Sequence, residues 1–176
     1  LLAILGLLVL GSVLIYSVNE PPTQETHNKK YYNEYNIYAL PIPKFLEFAG
    51  ELVPIDQPDI RERFDRELLV NAYWQSNGLL LMKRSHKFFE TIEPILKENN
   101  LPDDFKYLAV AESALMNAVS PAGAAGFWQF MPATAREHGL EVNSFVDERY
   151  NLEKVTKVAA DYLHKSKERF GNWTLA

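Results

Sequence analysis

The chain has 176 residues, enough for one domain of ordinary size with a hydrophobic core. Its 23 acidic and 18 basic residues give a net charge of -5, and no dense basic cluster occurs, which argues against a nucleic-acid partner. There is no cysteine, so disulfides, cysteine-based metal sites, thiol catalysis and lipoprotein acylation are excluded. The four histidines lack metal-ligand spacing, and we predict neither a metal nor a cofactor.

The N-terminal segment at 1–18 carries no charge and is dominated by leucine, isoleucine and valine. Its length is at the lower limit for a membrane-spanning helix and exceeds the apolar core of a typical signal peptide. No clear cleavage site follows, so we favour a signal anchor over a cleaved signal peptide, with a buried core helix as the third alternative. Both membrane interpretations predict a periplasmic or cell-envelope location. Residues 19–41 are polar and predict a flexible tether.

Residues 42–100 are expected to form an N-terminal helical wrap of the main domain. Their first part is rich in proline and predicts one short helix around 44–52. Helical periodicity begins at Asp59, and Gly78 is expected to break the first long helix. The next helix, over 79–99, has these expected core residues: Leu80, Phe88, Ile92, Ile95 and Leu96.

The second half of the chain is also predicted to be helical. Asp103 is expected to cap the next helix, Pro132 to begin a short one, and Asn151 and Gly171 to cap the two ends of the last. No region shows a convincing sheet pattern, although small strands fit near 141–145. The last helix has this expected apolar stripe: Leu152, Val155, Ala159, Tyr162, Leu163 and Phe170.

Glu112 is the foremost candidate for chemistry. Phe105, Leu108 and Ala109 recur at helical spacing, and Glu112 is the next member of that apolar stripe. Because burial of an unpaired carboxylate is costly, we expect a raised pKa, as in the general acid of a glycosidase. The alternative is a structural carboxylate paired with a buried arginine or lysine.

A loop rich in small residues follows, from Ser120 to Gly126, and opens into Phe127, Trp128 and Gln129. Glycines allow a ligand to approach the backbone closely, aromatic rings cover the apolar faces of sugars, and an amide bonds their hydroxyl and acetamido groups. A glycine-rich turn with core aromatics is the alternative interpretation. The second aromatic residue, Trp128, is equally consistent with a position in a cleft and a position in the core.

These motifs together resemble a known family. The Glu-Ser pair at Glu112, the Ser-x-x-Gly-Ala-x-Gly sequence that begins at Ser120, and the later Gln129 resemble the catalytic region of lytic murein transglycosylases, in particular their membrane-bound type D branch. The resemblance covers roughly 42–176. It implies an all-α, lysozyme-like (goose-type or SLT) domain with an N-terminal membrane segment. The catalytic core would occupy 101–176 and be incomplete at its C-terminus, because the family's later Ala-Tyr-Asn-Ala-Gly-like motif is not found.

The resemblance also implies a reaction and roles for the candidate residues. Glu112 would act as acid and base in cleaving the β-1,4 bond between N-acetylmuramic acid and N-acetylglucosamine without water, which leaves 1,6-anhydro ends. Ser120 would bond the muramic sugar, Gln129 would bond the glycan, Phe127 would line the cleft, and Ser113 would fix the turn after the acid. The implied partners are peptidoglycan strands and a membrane.

Two other functions stay open at this point. A lysozyme-type hydrolase would need a second carboxylate opposite Glu112. Asp147 and Glu148 are poor candidates, because they share a turn with Arg149 and indicate a solvated or salt-bridged cluster. A membrane-anchored wall-binding protein would keep the cleft without turnover, but binding alone does not require the acid.

Overall fold

The computed structural model describes residues 23–26, 28–29 and 38–176. The chain divides into two compact units, Leu1–Ala39 and Leu40–Ala176. In the first unit, the hydroxyl oxygens of Thr23 and Thr26 lie 2.9 Å apart. The predicted membrane segment at 1–18 and most of the predicted tether lie outside the described residues. Within the described ranges, no helix combines the length and the apolar character needed to cross a bilayer.

The second unit is mostly helical, as predicted. Between residues 38 and 176 it also contains one short hairpin and two 3-10 turns, at Asp103–Phe105 and Glu148–Tyr150. The elements in chain order are β1 (Glu47–Phe48), β2 (Glu51–Leu52), α1 (Pro58–Tyr73), α2 (Gln75–Glu98), α3 (Lys106–Ser113), α4 (Pro132–Glu137) and α5 (Leu152–Phe170).

The hairpin replaces the short helix that was predicted around 44–52. Its strands are antiparallel, with Glu47 opposite Leu52, and the turn residues Ala49 and Gly50 have φ values of 54° and 74°. Two consecutive positive φ values are typical of the tight turn that joins hairpin strands. The helix prediction was wrong because this turn reverses the chain in the middle of an apolar pattern that a helix could also have produced.

The boundary between α1 and α2 falls at Trp74, where ψ is 62°, and not at Gly78. The amide of Gly78 donates to the carbonyl oxygen of Trp74 at 2.9 Å, so the glycine lies within the first turns of α2. A glycine inside a helix costs only about 1 kcal/mol, which a helix of this length tolerates.

The core is formed mainly by α2, α3 and α5. Ile92 and Leu96 of α2, Ala109 of α3, and Val155 and Ala159 of α5 belong to one buried cluster. Three predicted core residues are instead exposed, each by 40% or more: Leu80, Tyr162 and Phe170. Leu80 lies in the first turns of α2 and Phe170 at the end of α5, where the neighbouring turns contain no buried residue, whereas Tyr162 lies next to the buried Leu163. The apolar stripe read from the sequence is therefore longer and wider than the face that packs.

The predicted caps of the last helix are confirmed. The Asn151 side chain accepts a hydrogen bond of 3.0 Å from the amide of Lys154, and Gly171 ends α5 with a φ of 84°. The predicted cap at Asp103 was wrong, because this residue lies inside a 3-10 turn and its carboxylate pairs with Lys106 at 2.5 Å. Its neighbour Asp104 accepts from a hairpin amide at 2.7 Å.

Glu51 links the hairpin to the segment that follows α5. Its carboxylate accepts hydrogen bonds from the Lys167 ammonium at 2.8 Å, from the Trp173 amide at 2.5 Å, and from the Thr174 amide and hydroxyl at 2.9 and 2.7 Å. These bonds, with that of Lys167 the most important, lower the pKa of Glu51 from 4.5 to about 2. The carboxylate therefore stays ionised and bonded in mildly acidic solution.

Glu51→Gln is expected to destabilise the unit at neutral pH and to reduce its sensitivity to acid. Because the pKa of Glu51 is lower in the folded state, its contribution to stability is present above pH 4.5 and is lost as the pH falls towards 2. Urea unfolding of both proteins across that interval measures the difference. Glu47→Gln, at an exposed acid of the same hairpin, is the control, and equal acid sensitivity of wild type and Glu51→Gln would contradict the prediction.

Candidate active site

A cavity of about 660 Å³ opens beside the last turn of α3. Of the described residues that line this cavity, only Glu112 is acidic. Leu108 lies one helical turn earlier on the same wall. Trp128 and Gln129 come from the small-residue loop, and Tyr162 comes from α5. The wall is otherwise mostly apolar, so a carboxyl group and an amide side chain face a cavity whose surface suits the faces of sugar rings.

The carboxylate of Glu112 is exposed in this cavity, and the prediction that it would be buried was wrong. The buried face of α3 consists of Ala109 and Ser113, which lie four residues apart. Glu112 follows Leu108 by four residues, and both therefore occupy the edge of the stripe that borders the cavity. The side chain forms no hydrogen bond or ion pair with another described residue, so its carboxyl group is available to a ligand.

Ser113 fixes the turn after Glu112, in agreement with the role that the resemblance implied. Its buried hydroxyl lies 3.0 Å from the carbonyl oxygen of Ala109 and 2.9 Å from that of Phe127, which connects the end of α3 to the loop. Ala114 and Leu115 then adopt φ values of 51° and 54°. Positive φ is unfavourable for residues with a Cβ, so tertiary contacts hold the backbone in place directly after the candidate acid.

Arg149 anchors the loop from the inside. Its guanidinium is bonded to both carboxylate oxygens of Asp147 and donates to the carbonyl oxygens of Gly123 and Phe130 at 2.8 and 2.9 Å. Gly126 packs so closely that a Cβ built there would lie 2.1 Å from the Arg149 carbonyl oxygen. One buried residue therefore contacts the backbone at Gly123, Gly126 and Phe130, in the second half of the loop and just after it.

The expected salt-bridged cluster at 147–149 is present. The sequence did not predict that its arginine, Arg149, would also hold the backbone of the loop. Hydrogen bonding from Arg149 lowers the pKa of Asp147, and the carboxylate raises the pKa of the guanidinium. Both groups therefore stay charged, which a buried ion pair requires. An Asp-x-Arg pair close to a glycine-rich loop was the available signal, but the contact of Arg149 with Gly123 spans 26 residues and leaves no local pattern.

Gln129 enters the cavity from a strained backbone position, with a φ of 50°. Its side-chain nitrogen donates to the carbonyl oxygens of Ala118 and Gly126 at 3.0 and 2.9 Å. Both hydrogens of the amide nitrogen are thus used within the protein. The side-chain oxygen has no described partner and is available to accept a hydrogen bond from a ligand.

The structure does not place the other two predicted contact residues in this lining. The hydroxyl of Ser120 accepts from the Ala124 amide at 3.0 Å and stabilises the loop. Phe127 is 3% exposed and packs edge-on against Phe88, with ring centroids 4.8 Å apart. Their contacts with substrate remain predictions that rest on the resemblance.

Trp128 belongs to both the core and the cavity wall. The sequence had left a core position and a cleft position equally open, and the residue occupies both. It is 7% exposed, and its indole nitrogen donates to the Thr156 hydroxyl at 3.0 Å.

Tyr162, interpreted from the sequence as a core residue, is 40% exposed in the cavity wall and contacts Phe130 edge-on. The helical stripe alone could not distinguish a core position from one that borders a cavity.

The candidate site lies in a part of the chain that matches a known protein family. Residues 90–176, which include Glu112 and the whole loop, match the family of the transglycosylase SLT domain. This match confirms the resemblance indicated by the motifs.

The chain is also similar to two curated proteins, each named membrane-bound lytic murein transglycosylase D, from Escherichia coli strain K12 and from Escherichia coli O6:H1 strain CFT073. Identity to each is 29% over 133 residues, which cover 73% of this chain. The chain spans only 28% of the length of these relatives.

Proposed function

We propose that this protein is a lytic transglycosylase that cleaves the β-1,4 bond between N-acetylmuramic acid and N-acetylglucosamine of peptidoglycan without water, leaving 1,6-anhydro ends. The observation that supports the proposal most is the position of Glu112. Its carboxyl group lies in the wall of a mostly apolar cavity, without a described internal partner, and shares that wall with Gln129. A carboxyl group that serves no internal contact can exchange a proton with a bound glycan.

The reaction requires one carboxyl group acting twice. Glu112 donates its proton to the glycosidic oxygen as the bond from that oxygen to C1 breaks, and the substrate's acetamido group stabilises the cation at C1. The carboxylate then takes the proton of the C6 hydroxyl while the bond from O6 to C1 forms, which returns Glu112 to its starting state. Because the nucleophile belongs to the substrate, it is already close to C1. The apolar wall, including Leu108 and Phe130, disfavours attack by water.

The neighbouring residues would orient the glycan. The side-chain oxygen of Gln129 accepts a hydrogen bond from a sugar hydroxyl or acetamido group. Ser120 accepts a bond from the loop, so its own hydrogen remains available to the muramic sugar. Phe127 would contribute an apolar surface at the rear of the loop.

Mass spectrometry of the fragments released from purified peptidoglycan tests this function. Muropeptides that end in 1,6-anhydromuramic acid, lighter by one water and resistant to borohydride, are the expected products. Reducing-end products would assign a lysozyme-type hydrolase instead. Binding to peptidoglycan by the folded protein without any product would assign a wall-binding protein.

We also propose that residues 1–18 anchor the protein in a membrane, with the SLT domain in the periplasm or cell envelope. The uncharged, apolar composition of the segment supports an anchor, as does the description of the two relatives as membrane-bound. The full chain is expected in the membrane fraction after alkaline carbonate washing. Recovery in the soluble fraction would contradict the anchor.

A further inference from the structure

A groove with a volume of about 700 Å³, separate from the cavity of Glu112, runs along α2 and is lined by several positively charged side chains. Lys83, Arg84 and Lys87 line it, together with the aromatic rings of Phe88 and Tyr150, and none of its described lining residues is acidic. The chain as a whole has a net charge of -5, so this local excess of cations is opposite in sign to the rest of the protein. The groove therefore combines a cationic rim with an apolar floor.

The two lysines of the groove are available to a ligand. Both are exposed, and neither forms a hydrogen bond or an ion pair with another described residue. The Lys87 ammonium lies 5.0 Å from the centroid of the Phe88 ring, while Arg84 is fixed by donation to the Ala114 carbonyl oxygen at 3.1 Å. Two lysines four residues apart on a helix repel each other, so the proximity of Lys83 and Lys87 does not stabilise α2.

The basic groove and the cavity of Glu112 border the same two stretches of chain. Glu112 lines the cavity and Met116 lines the groove, and four residues span at most about 14 Å. Trp128 lines the cavity, and the preceding residue, Phe127, lines the groove. At these residues the groove and the cavity are thus no more than about 14 Å apart, a distance that a side branch of moderate length can span.

We propose that this groove binds the peptide stems of peptidoglycan through their carboxylates, an inference that rests on the proposed function. The stems branch from muramic acid, the sugar whose C1 would lie at Glu112, and a stem of four residues reaches about 14 Å when extended. Its free carboxylates are complementary in charge to Lys83 and Lys87. The apolar side chains of the stem would contact the floor formed by Met116 and Tyr150.

Titration calorimetry of the full chain with two probes tests the proposal. One probe is the disaccharide of N-acetylglucosamine and N-acetylmuramic acid bearing a tetrapeptide, and the other is the same disaccharide without peptide. The wild type is expected to bind the peptide-bearing probe roughly three to ten times more tightly, with an advantage that decreases as salt increases. The Lys83→Gln/Lys87→Gln variant is expected to lose this advantage and to bind the bare disaccharide unchanged.

Lys44→Gln/Lys157→Gln removes the same charge at two exposed lysines that line neither the cavity nor the groove, and it should behave as the wild type. Equal binding of the two probes by the wild type, or the same preference in both double variants, would overturn the proposal. Binding to phosphatidylglycerol vesicles that depends on Lys83 and Lys87, without any effect on the peptide-bearing probe, would assign the groove to a lipid surface and also overturn it.

Product analysis with bare glycan strands separates this inference from the proposed function. Reducing ends from the wild type would reject the transglycosylase chemistry, whereas the difference between the two probes would still report on the groove. Anhydro ends with no preference for the peptide-bearing probe would reject only the groove.

Discussion

Glu112→Gln is expected to abolish peptidoglycan cleavage while leaving the fold intact. The amide has nearly the same shape as the carboxylic acid but cannot deliver the proton, and loss of general acid–base catalysis typically reduces rates by about 10²–10⁴-fold. Stability should change little, because the exposed carboxylate has no described internal partner to lose. Release of soluble muropeptides gives the rate, and thermal unfolding followed by circular dichroism reports on the fold.

Glu137→Gln is the matched control for this substitution. Glu137 is an exposed acid at the end of α4, it lies outside the cavity lining, and its replacement makes the same change in charge. A folded Glu112→Gln protein with turnover close to that of the wild type would remove Glu112 from the mechanism. An equal loss in both variants would indicate a general effect of charge.

Gly126→Ala is expected to destabilise the domain by about 2–5 kcal/mol, the sum of two costs. The φ of 79° is unfavourable by about 1–2 kcal/mol for a residue with a Cβ. The new methyl group would also lie 2.1 Å from the Arg149 carbonyl oxygen, and relieving such an overlap costs about 1–3 kcal/mol. Urea unfolding measures the loss, and turnover should fall with it because Gln129 bonds the same segment.

Gly123→Ala separates these two costs. Gly123 has a similar φ of 90°, but a Cβ there meets nothing within 4 Å, so we expect only the backbone cost of about 1–2 kcal/mol. Equal destabilisation by the two substitutions would show that the close approach to Arg149 does not constrain the loop.

Most of the helical architecture could be predicted from the sequence because its signals are local. The cap at Asn151 and the glycine at 171 depend on residues within one turn, and the stripe through Val155 and Leu163 follows from the helical period. The hairpin at 47–52 could not be predicted in this way. Its turn is set by the backbone conformation of Ala49 and Gly50, and its position depends on the distant partners of Glu51 and Asp104.

The site was only partly predictable for the same reason. Glu112 and Gln129 were found from their motifs, and both line one cavity. Whether the acid would be buried depended on which edge of the stripe packs against the rest of the fold, and the period does not contain that information. The anchoring role of Arg149 depends on carbonyl oxygens 19 and 26 residues away in sequence, so a short motif could not reveal it.

The bonds of Gln129 also determine which ligands this part of the cavity can distinguish. Two carbonyl oxygens flank its amide nitrogen, so the side chain cannot rotate to exchange its two ends without placing oxygen against oxygen. The position therefore has a fixed polarity. It favours a ligand group that carries a hydrogen, such as a hydroxyl or the N–H of an acetamido group, and it disfavours a bare ether or carbonyl oxygen. Selectivity between chemically similar sugars can thus arise from a side chain whose other end only holds a loop together.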